Sequence, residues 1–264
     1  MEFRGMMGGL YKVTEWIMRL SVINVLWVIC SSPFFMLVLI ILISPSTTDE
    51  VTVSADFIRQ WLILLAVVAP FTLVPATAAM FTVARKWVTG DEDVPLLKTF
   101  FRGYKENYLY SLMGGFVFVL LAVILYVNYT WYGNSSGYLK LLSFFFILLM
   151  ILLMAAFFNF FSIMVHLHMK FIQVIKNCLL ITIGNPFSSF ALLIVNGVIV
   201  FISFKYNFLV PFFMGSLIAT SSFWQFHRNF LRIQSKLEKL SLVKEERKLT
   251  ESRLQNEETL DKLK

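Results

Sequence analysis

The sequence predicts an all-α membrane protein with six transmembrane helices and both termini in the cytoplasm. Two amphipathic interfacial helices join spans on that side, and a long cytoplasmic helix closes the chain. Three observations predict this class. Of 264 residues, 58% are hydrophobic and only 15% charged, and the mean hydropathy is +0.74; a soluble domain carries about 25% charged residues. Six stretches hold no Asp, Glu, Lys, Arg or His, and the Lys and Arg residues gather in alternate connections.

The six stretches are Leu20–Ile43, Trp61–Ala84, Leu109–Val127, Leu141–Val165, Phe187–Phe204 and Phe208–Phe226, of 18 to 25 residues each. About 20 residues cross a hydrocarbon core about 30 Å thick, so each is long enough. Their apolar character is continuous and not alternating, which does not fit barrel strands. The first is too long for a signal-peptide core, and Ile29 before Cys30 does not suit lipoprotein processing, so it is expected to be retained.

Orientation follows from basic residues. The N-terminal segment, the second and fourth connections and the C-terminal tail hold twenty Lys and Arg; the other side holds three, Arg59, Lys140 and Lys205. Both termini are therefore expected in the cytoplasm of a multi-pass membrane protein. The net charge of +7 belongs to that asymmetry, and the expected partner is the lipid bilayer and not nucleic acid. Cys30 and Cys178 are too few and too far apart in depth for a disulfide framework.

Between the spans, residues 44–60 carry Asp49, Glu50 and Asp56 and read as a solvated loop. In 94–108, Leu97, Phe100, Phe101, Tyr104 and Tyr108 recur at helical spacing opposite Lys98, Arg102 and Lys105. In 167–178, Phe171, Ile172 and Ile175 stand opposite Lys170 and Lys176. These five cations are the candidate interfacial basic residues, suited to a headgroup layer. Because each segment lies between an inward and an outward span, 61–127 and 141–204 admit a reading as two parallel repeats. Residues 1–228 form the membrane domain and 229–264 a helical tail. There Ile233, Leu237 and Leu240 begin a heptad that Lys244 and Arg247 interrupt, and Leu242, Leu249 and Leu254 resume out of phase. Glu258 and Lys262 stand at i,i+4 spacing. A short coiled coil and a solvated helix both fit.

The second span has most character. Pro70 and Pro75 each remove a backbone donor, Thr72 and Thr77 offer hydroxyls to freed carbonyls, and Ala76, Ala78 and Ala79 form a small-residue contact face. Arg85-Lys86-Trp87 follows as a basic-aromatic anchor. Pro70, Pro75, Ala76, Thr77, Ala78, Ala79, Arg85, Lys86 and Trp87 are candidates for a hinge or partner-docking site, against the plainer reading of a kinked, closely packed helix.

Catalytic chemistry is not visible. No acidic or basic residue lies inside a span, which counts against an ion-coupled carrier. GxSxG, HExxH, Walker A, GxGxxG and CxxC motifs are missing from the sequence. His166 and His168 face apart on a helix and suit a metal poorly. A non-enzymatic protein without cofactor is expected. Asn24, Ser31, Ser32, Asn159, Asn196 and Ser221-Ser222 are polar groups within or beside spans that either bond helices together or line a polar path.

Two segments carry a family resemblance. One is Met7-Gly8-Gly9-Leu10-Tyr11…Glu15-Trp16-Ile17-Met18-Arg19-Leu20 ahead of Asn24…Trp27. The other is Pro75-Ala76-Thr77-Ala78-Ala79-Met80…Arg85-Lys86-Trp87, leading to Gly90-Asp91…Val94-Pro95…Lys98-Thr99-Phe100. Over residues 5–225 the chain resembles the YesL-like family of bacterial integral membrane proteins, a domain of unknown function. The resemblance implies a Gram-positive source and genes beside those for sugar ABC importers and glycoside hydrolases. The expected role is then an accessory or scaffold in carbohydrate uptake, in contact with ABC importer subunits or with further copies of itself. The alternative is a small-solute transporter or channel built from the two parallel repeats. The coupling loop of an ABC permease is not recognisable, and the resemblance transfers no functional residue.

Overall fold

The computed structural model describes residues 6–43, 55–91, 93–167 and 169–262, with side chains placed for 9–43, 57–91, 93–167 and 169–248. Outside these lie most of the 44–60 loop, His168, and the side chains of Leu249, Leu254, Glu258 and Lys262. Contacts divide the chain into Met1–Trp224 and Gln225–Lys264.

In the first unit, α1 is Met6–Cys30 and α2 Ser32–Ile43; α3 is Ala55–Val68 and α4 Leu73–Val88. The long helices α5, Leu96–Gly133, and α6, Leu141–His166, follow, joined through a 3-10 turn at Gly137–Lys140. Then come α7 (Phe171–Gly184), α8 (Pro186–Lys205), a π-helical turn at Val210–Met214, and α9, which starts at Gly215 and runs to Lys262. Among the described residues, four helices are long and apolar enough to cross a membrane, five if α3 and α4 count as one span.

Prolines set the segment starts. Pro33, Pro186 and Pro211 lie in the first two positions of their segments, and Pro95 caps α5. There the missing N–H has no helical partner to lose. The same rule corrects two spans. Leu20–Ile43 breaks at Ser31, whose carbonyl takes the N–H groups of Phe34 and Phe35; Pro33 cannot continue the ladder. Trp61–Ala84 breaks fully at 69–72, and α3 and α4 meet at 52°. Pro75 falls in the first turn of α4, so it starts that helix instead of kinking it. Thr72 and Thr77 donate to Val68 and Leu73 carbonyls at 3.2 and 2.7 Å, not to those the prolines freed.

Two more expectations change. The amphipathic segment 94–108 is not a separate interfacial helix. It is the first part of α5, which continues for 38 residues, about 57 Å at 1.5 Å per residue. The segment at 167–178 becomes α7, which extends to Gly184 and ends before Pro186. The sixth predicted span, Phe208–Phe226, comprises the π turn and the opening of α9.

α4 is the centre of the first unit, touching α1, α5 and α6. Apolar side chains gain little by leaving lipid for one another, so close approach and hydrogen bonds must hold such helices together. Ala76, Ala78 and Ala79 are fully buried, and Phe81 stacks on Phe161 at 5.2 Å. α5 answers with Gly103, Ser111, Gly114 and Gly115, all buried. A Cβ on Gly114 would meet the Phe160 ring, and one on Gly115 would lie 3.0 Å from Pro70. In the second unit, Phe226 stacks on Phe230 at 5.9 Å. Its Leu237, Leu240, Leu242 and Val243 are exposed.

Candidate functional site at the basic end of the bundle

The loops 89–95 and 167–170 lie at one end of the first unit, since α4 and α5, and α6 and α7, are adjacent antiparallel neighbours. α4 reaches that end and stops in a Schellman turn. The N–H of Asp91 bonds the Lys86 carbonyl at 2.9 Å, that of Gly90 the Trp87 carbonyl at 3.2 Å, and Gly90 takes φ +94°. Lys86 then pairs with Asp91 at 2.9 Å. The buried Arg19 guanidinium of α1 meets this turn, bonding Glu15 on its own helix and Asp93 at 2.7 Å. Trp16 packs edge-on against Trp87 at 5.3 Å.

Arg85 crosses to α6, where its guanidinium donates to the Val165 carbonyl. That carbonyl belongs to the last turn of α6, where carbonyls lack helical donors, and a cation there also meets the negative end of the helix dipole. Beside this contact lies a cavity of about 580 Å³. Its polar lining is Thr82 and Arg85 from α4, Glu106, Asn107 and Tyr110 from α5, and Lys170 at the start of α7. Asn107 donates to Thr82 Oγ1 at 3.3 Å and to the Gly103 carbonyl at 2.9 Å, which fixes one wall. Tyr110 meets Phe171 edge-on at 5.9 Å. Two further cavities, of about 240 and 210 Å³, lie among the apolar side chains of α4–α7 and carry no charged lining.

The candidates separate by burial. Pro70, Pro75, Ala76, Ala78, Ala79 and Trp87 are buried against the chain's own helices. They form the close-packed internal face and leave no surface for a partner; the break itself keeps Pro70 as a bend. Half-buried Thr77 accepts the Trp27 indole N–H at 3.0 Å. Arg85 and Lys86 remain reachable. Lys98, Arg102, Lys105, Lys170 and Lys176 are all exposed, and only Lys170 joins the cavity.

Sequence reading missed Thr82, Glu106, Asn107 and Tyr110. The spacing of four through Gly103, Asn107, Ser111 and Gly115 was the available signal, a small or polar residue on every turn of one helix face. Of the polar residues singled out in the spans, Ser31 buries its hydroxyl without a partner among the described residues, while the asparagines bridge helices: Asn159 donates to Thr182 at 3.0 Å. Asn196 donates to Ser222 at 2.9 Å and accepts from Ser221 at 3.1 Å.

The family model described as "Protein of unknown function, DUF624" matches residues 20–129, from α1 through most of α5. Three proteins of Bacillus subtilis (strain 168) are similar. "Uncharacterized protein YteU" is 29% identical over 219 residues, 83% of this chain and 84% of that one. "Uncharacterized protein YesL" is 27% identical over 214 residues, covering 80% and 84%. "Uncharacterized protein YesV" is 30% identical over 144 residues, covering 54% and 69%. No solved structure matches.

Proposed function

The chain belongs to the DUF624 family, that of the YesL-like membrane proteins, and from that premise we propose a non-enzymatic accessory protein of carbohydrate uptake. In this reading it docks ABC importer subunits through the basic end of its bundle, which faces the cytoplasm. One observation carries it. Reachable cations of the first unit, Arg85, Lys86, Lys98, Arg102, Lys105 and Lys170, lie on the segments that flank the α4–α5 and α6–α7 connections, and Arg85 and Lys170 line the charged cavity. The positive-inside tendency assigns such an end to the cytoplasm, where importer subunits present their regulatory surfaces.

A tagged chain purified from native membranes in mild detergent, with mass spectrometry of what accompanies it, tests the reading. Importer subunits in stoichiometric amount are expected, and truncation at Arg228 then asks whether the tail is the contact. Recovery of the chain alone, or only with further copies of itself, counts against it.

A second reading, a small-solute transporter or channel, draws on the broken span between Val68 and Leu73 and the break at Asn185-Pro186, since interrupted helices flank substrate sites in transporters. The proposed repeats 61–127 and 141–204 break differently, the first in its leading span and the second in its trailing one. Uptake of candidate sugars into proteoliposomes supports this reading; unchanged uptake there and in a deletion strain removes it.

A further inference from the structure

We propose that the cavity between α4, α5, α6 and α7 binds a phosphoester, its phosphate held between Arg85 and Lys170 and its second polar group at Glu106. This goes beyond partner docking and stands whether or not an importer subunit is recovered with the chain.

Size is the first argument. About 580 Å³ lies within the range of about 300–1,000 Å³ typical of small-ligand sites. It is also more than twice either apolar cavity.

Charge is the second. Two cations reach the space from different elements, α4 and the start of α7. Arg85 has one backbone carbonyl as its bonded partner, which leaves the rest of its five-donor fork available. The Lys170 ammonium has no carboxylate partner among the described residues. An arginine and a lysine converging on one space suit phosphate, the first as a planar fork and the second as a point charge.

Glu106 is the third. A carboxylate in the same lining repels a bare dianion. It favours a ligand that also carries a donor, an ammonium or hydroxyl a few bonds from the phosphorus. Thr82, Asn107 and Tyr110 add neutral hydrogen-bonding groups, and Asn107 is already oriented by its bonds to Thr82 and Gly103. The Tyr110–Phe171 pair beside the cavity is of the amphipathic aromatic kind found at headgroup depth. Two sources present this chemistry: a phospholipid with a primary-amine headgroup, and a soluble phosphorylated polyol.

The test uses the full chain, delipidated in dodecyl maltoside. Phosphatidylethanolamine, phosphatidylglycerol and phosphate-free diacylglycerol are titrated in turn, and bound lipid is read by native mass spectrometry. Glycerol 3-phosphate is the soluble probe, read by thermal shift. Binding of phosphatidylethanolamine but not glycerol 3-phosphate assigns a lipid headgroup. The converse assigns a soluble ester, and either result supports the site. Lys170→Gln is expected to weaken the bound probe about tenfold, the value of one hydrogen bond to a charged group. If a lipid binds, Glu106→Gln is expected to shift preference from ethanolamine to glycerol headgroup. Arg85→Gln should act similarly but also frees the Val165 carbonyl and can cost folding; Lys170→Gln, at an exposed position, is therefore the deciding variant. The proposal is overturned if neither phospholipid binds above diacylglycerol and glycerol 3-phosphate gives no thermal shift, or if Lys170→Gln binds like the unaltered chain.

Discussion

Asn24 and Ser216, 192 residues apart in sequence, are joined directly: the backbone N–H of Ser216 donates to Asn24 Oδ1 at 3.0 Å. Asn24 Nδ2 in turn donates to the Val210 carbonyl at 3.0 Å, so one side chain of α1 spans the whole π turn. The turn is wide because Pro211 lies within it and lacks an N–H. Gly215 allows the approach, since a Cβ there would lie 3.0 Å from Asn24 Oδ1 and from Met80.

Replacing Asn24 with Leu removes both bonds, one to the buried Ser216 N–H and one to the half-buried Val210 carbonyl. We expect a loss of about 1–3 kcal/mol, read as a lower unfolding midpoint in detergent. An unchanged midpoint would mean that the π turn is held by other contacts.

The α4–α5–α6 contact depends on space. Gly114→Val drives side-chain atoms into the Phe160 ring and should cost about 1–3 kcal/mol or more, as overpacking does. Gly133→Ala, where nothing lies within 4 Å, is the matched control and should be neutral. Equal behaviour of the two by thermal unfolding would refute the packing.

Arg19 and Asp93 are unequal partners. The Arg19 side chain is 11% exposed and that of Asp93 94%. Asp93→Asn should leave stability near the starting value, because exposed carboxylates gain little from such pairs. Arg19→Met should cost clearly more, since Glu15 loses its partner too. Chemical denaturation of both variants reads the order.

The cytoplasmic assignment has its own test. With Cys30 and Cys178 replaced by Ala, a Lys98→Cys variant should react with an impermeant maleimide only after the cells are opened. Tyr138→Cys, at a position 90% exposed, should react in intact cells. The reverse pattern inverts the topology.

Class was legible because apolar composition and runs of 18 or more residues are what lipid demands. Segment boundaries were less so. Counting uncharged residues joins α1 to α2 and α3 to α4, because Ser31 and Ala69–Thr72 carry no charge to mark the breaks. The prolines do mark them: Pro33 and Pro75 as helix starts instead of kinks, and Pro70 as the bend itself. The α5 face also escaped, since Gly103, Ser111 and Gly115 carry neither charge nor apolar bulk for a hydropathy pattern to mark. Of the site, Arg85 and Lys170 were named from charge alone. Their meeting depends on α6 ending at His166, a tertiary fact that no local pattern contains.

The four bridging asparagines have a collective consequence. Asn24 ties α1 to the π turn and α9, and Asn107 ties α5 to α4. Asn159 ties α6 to α7, and Asn196 ties α8 to α9. Apolar helices in lipid are nearly interchangeable as neighbours, so the chain's greasy surfaces say little about who belongs beside whom. One amide per pair supplies the missing address. A helix that inserts in the wrong place finds no matching hydroxyl or backbone group, and is left free to exchange until it does.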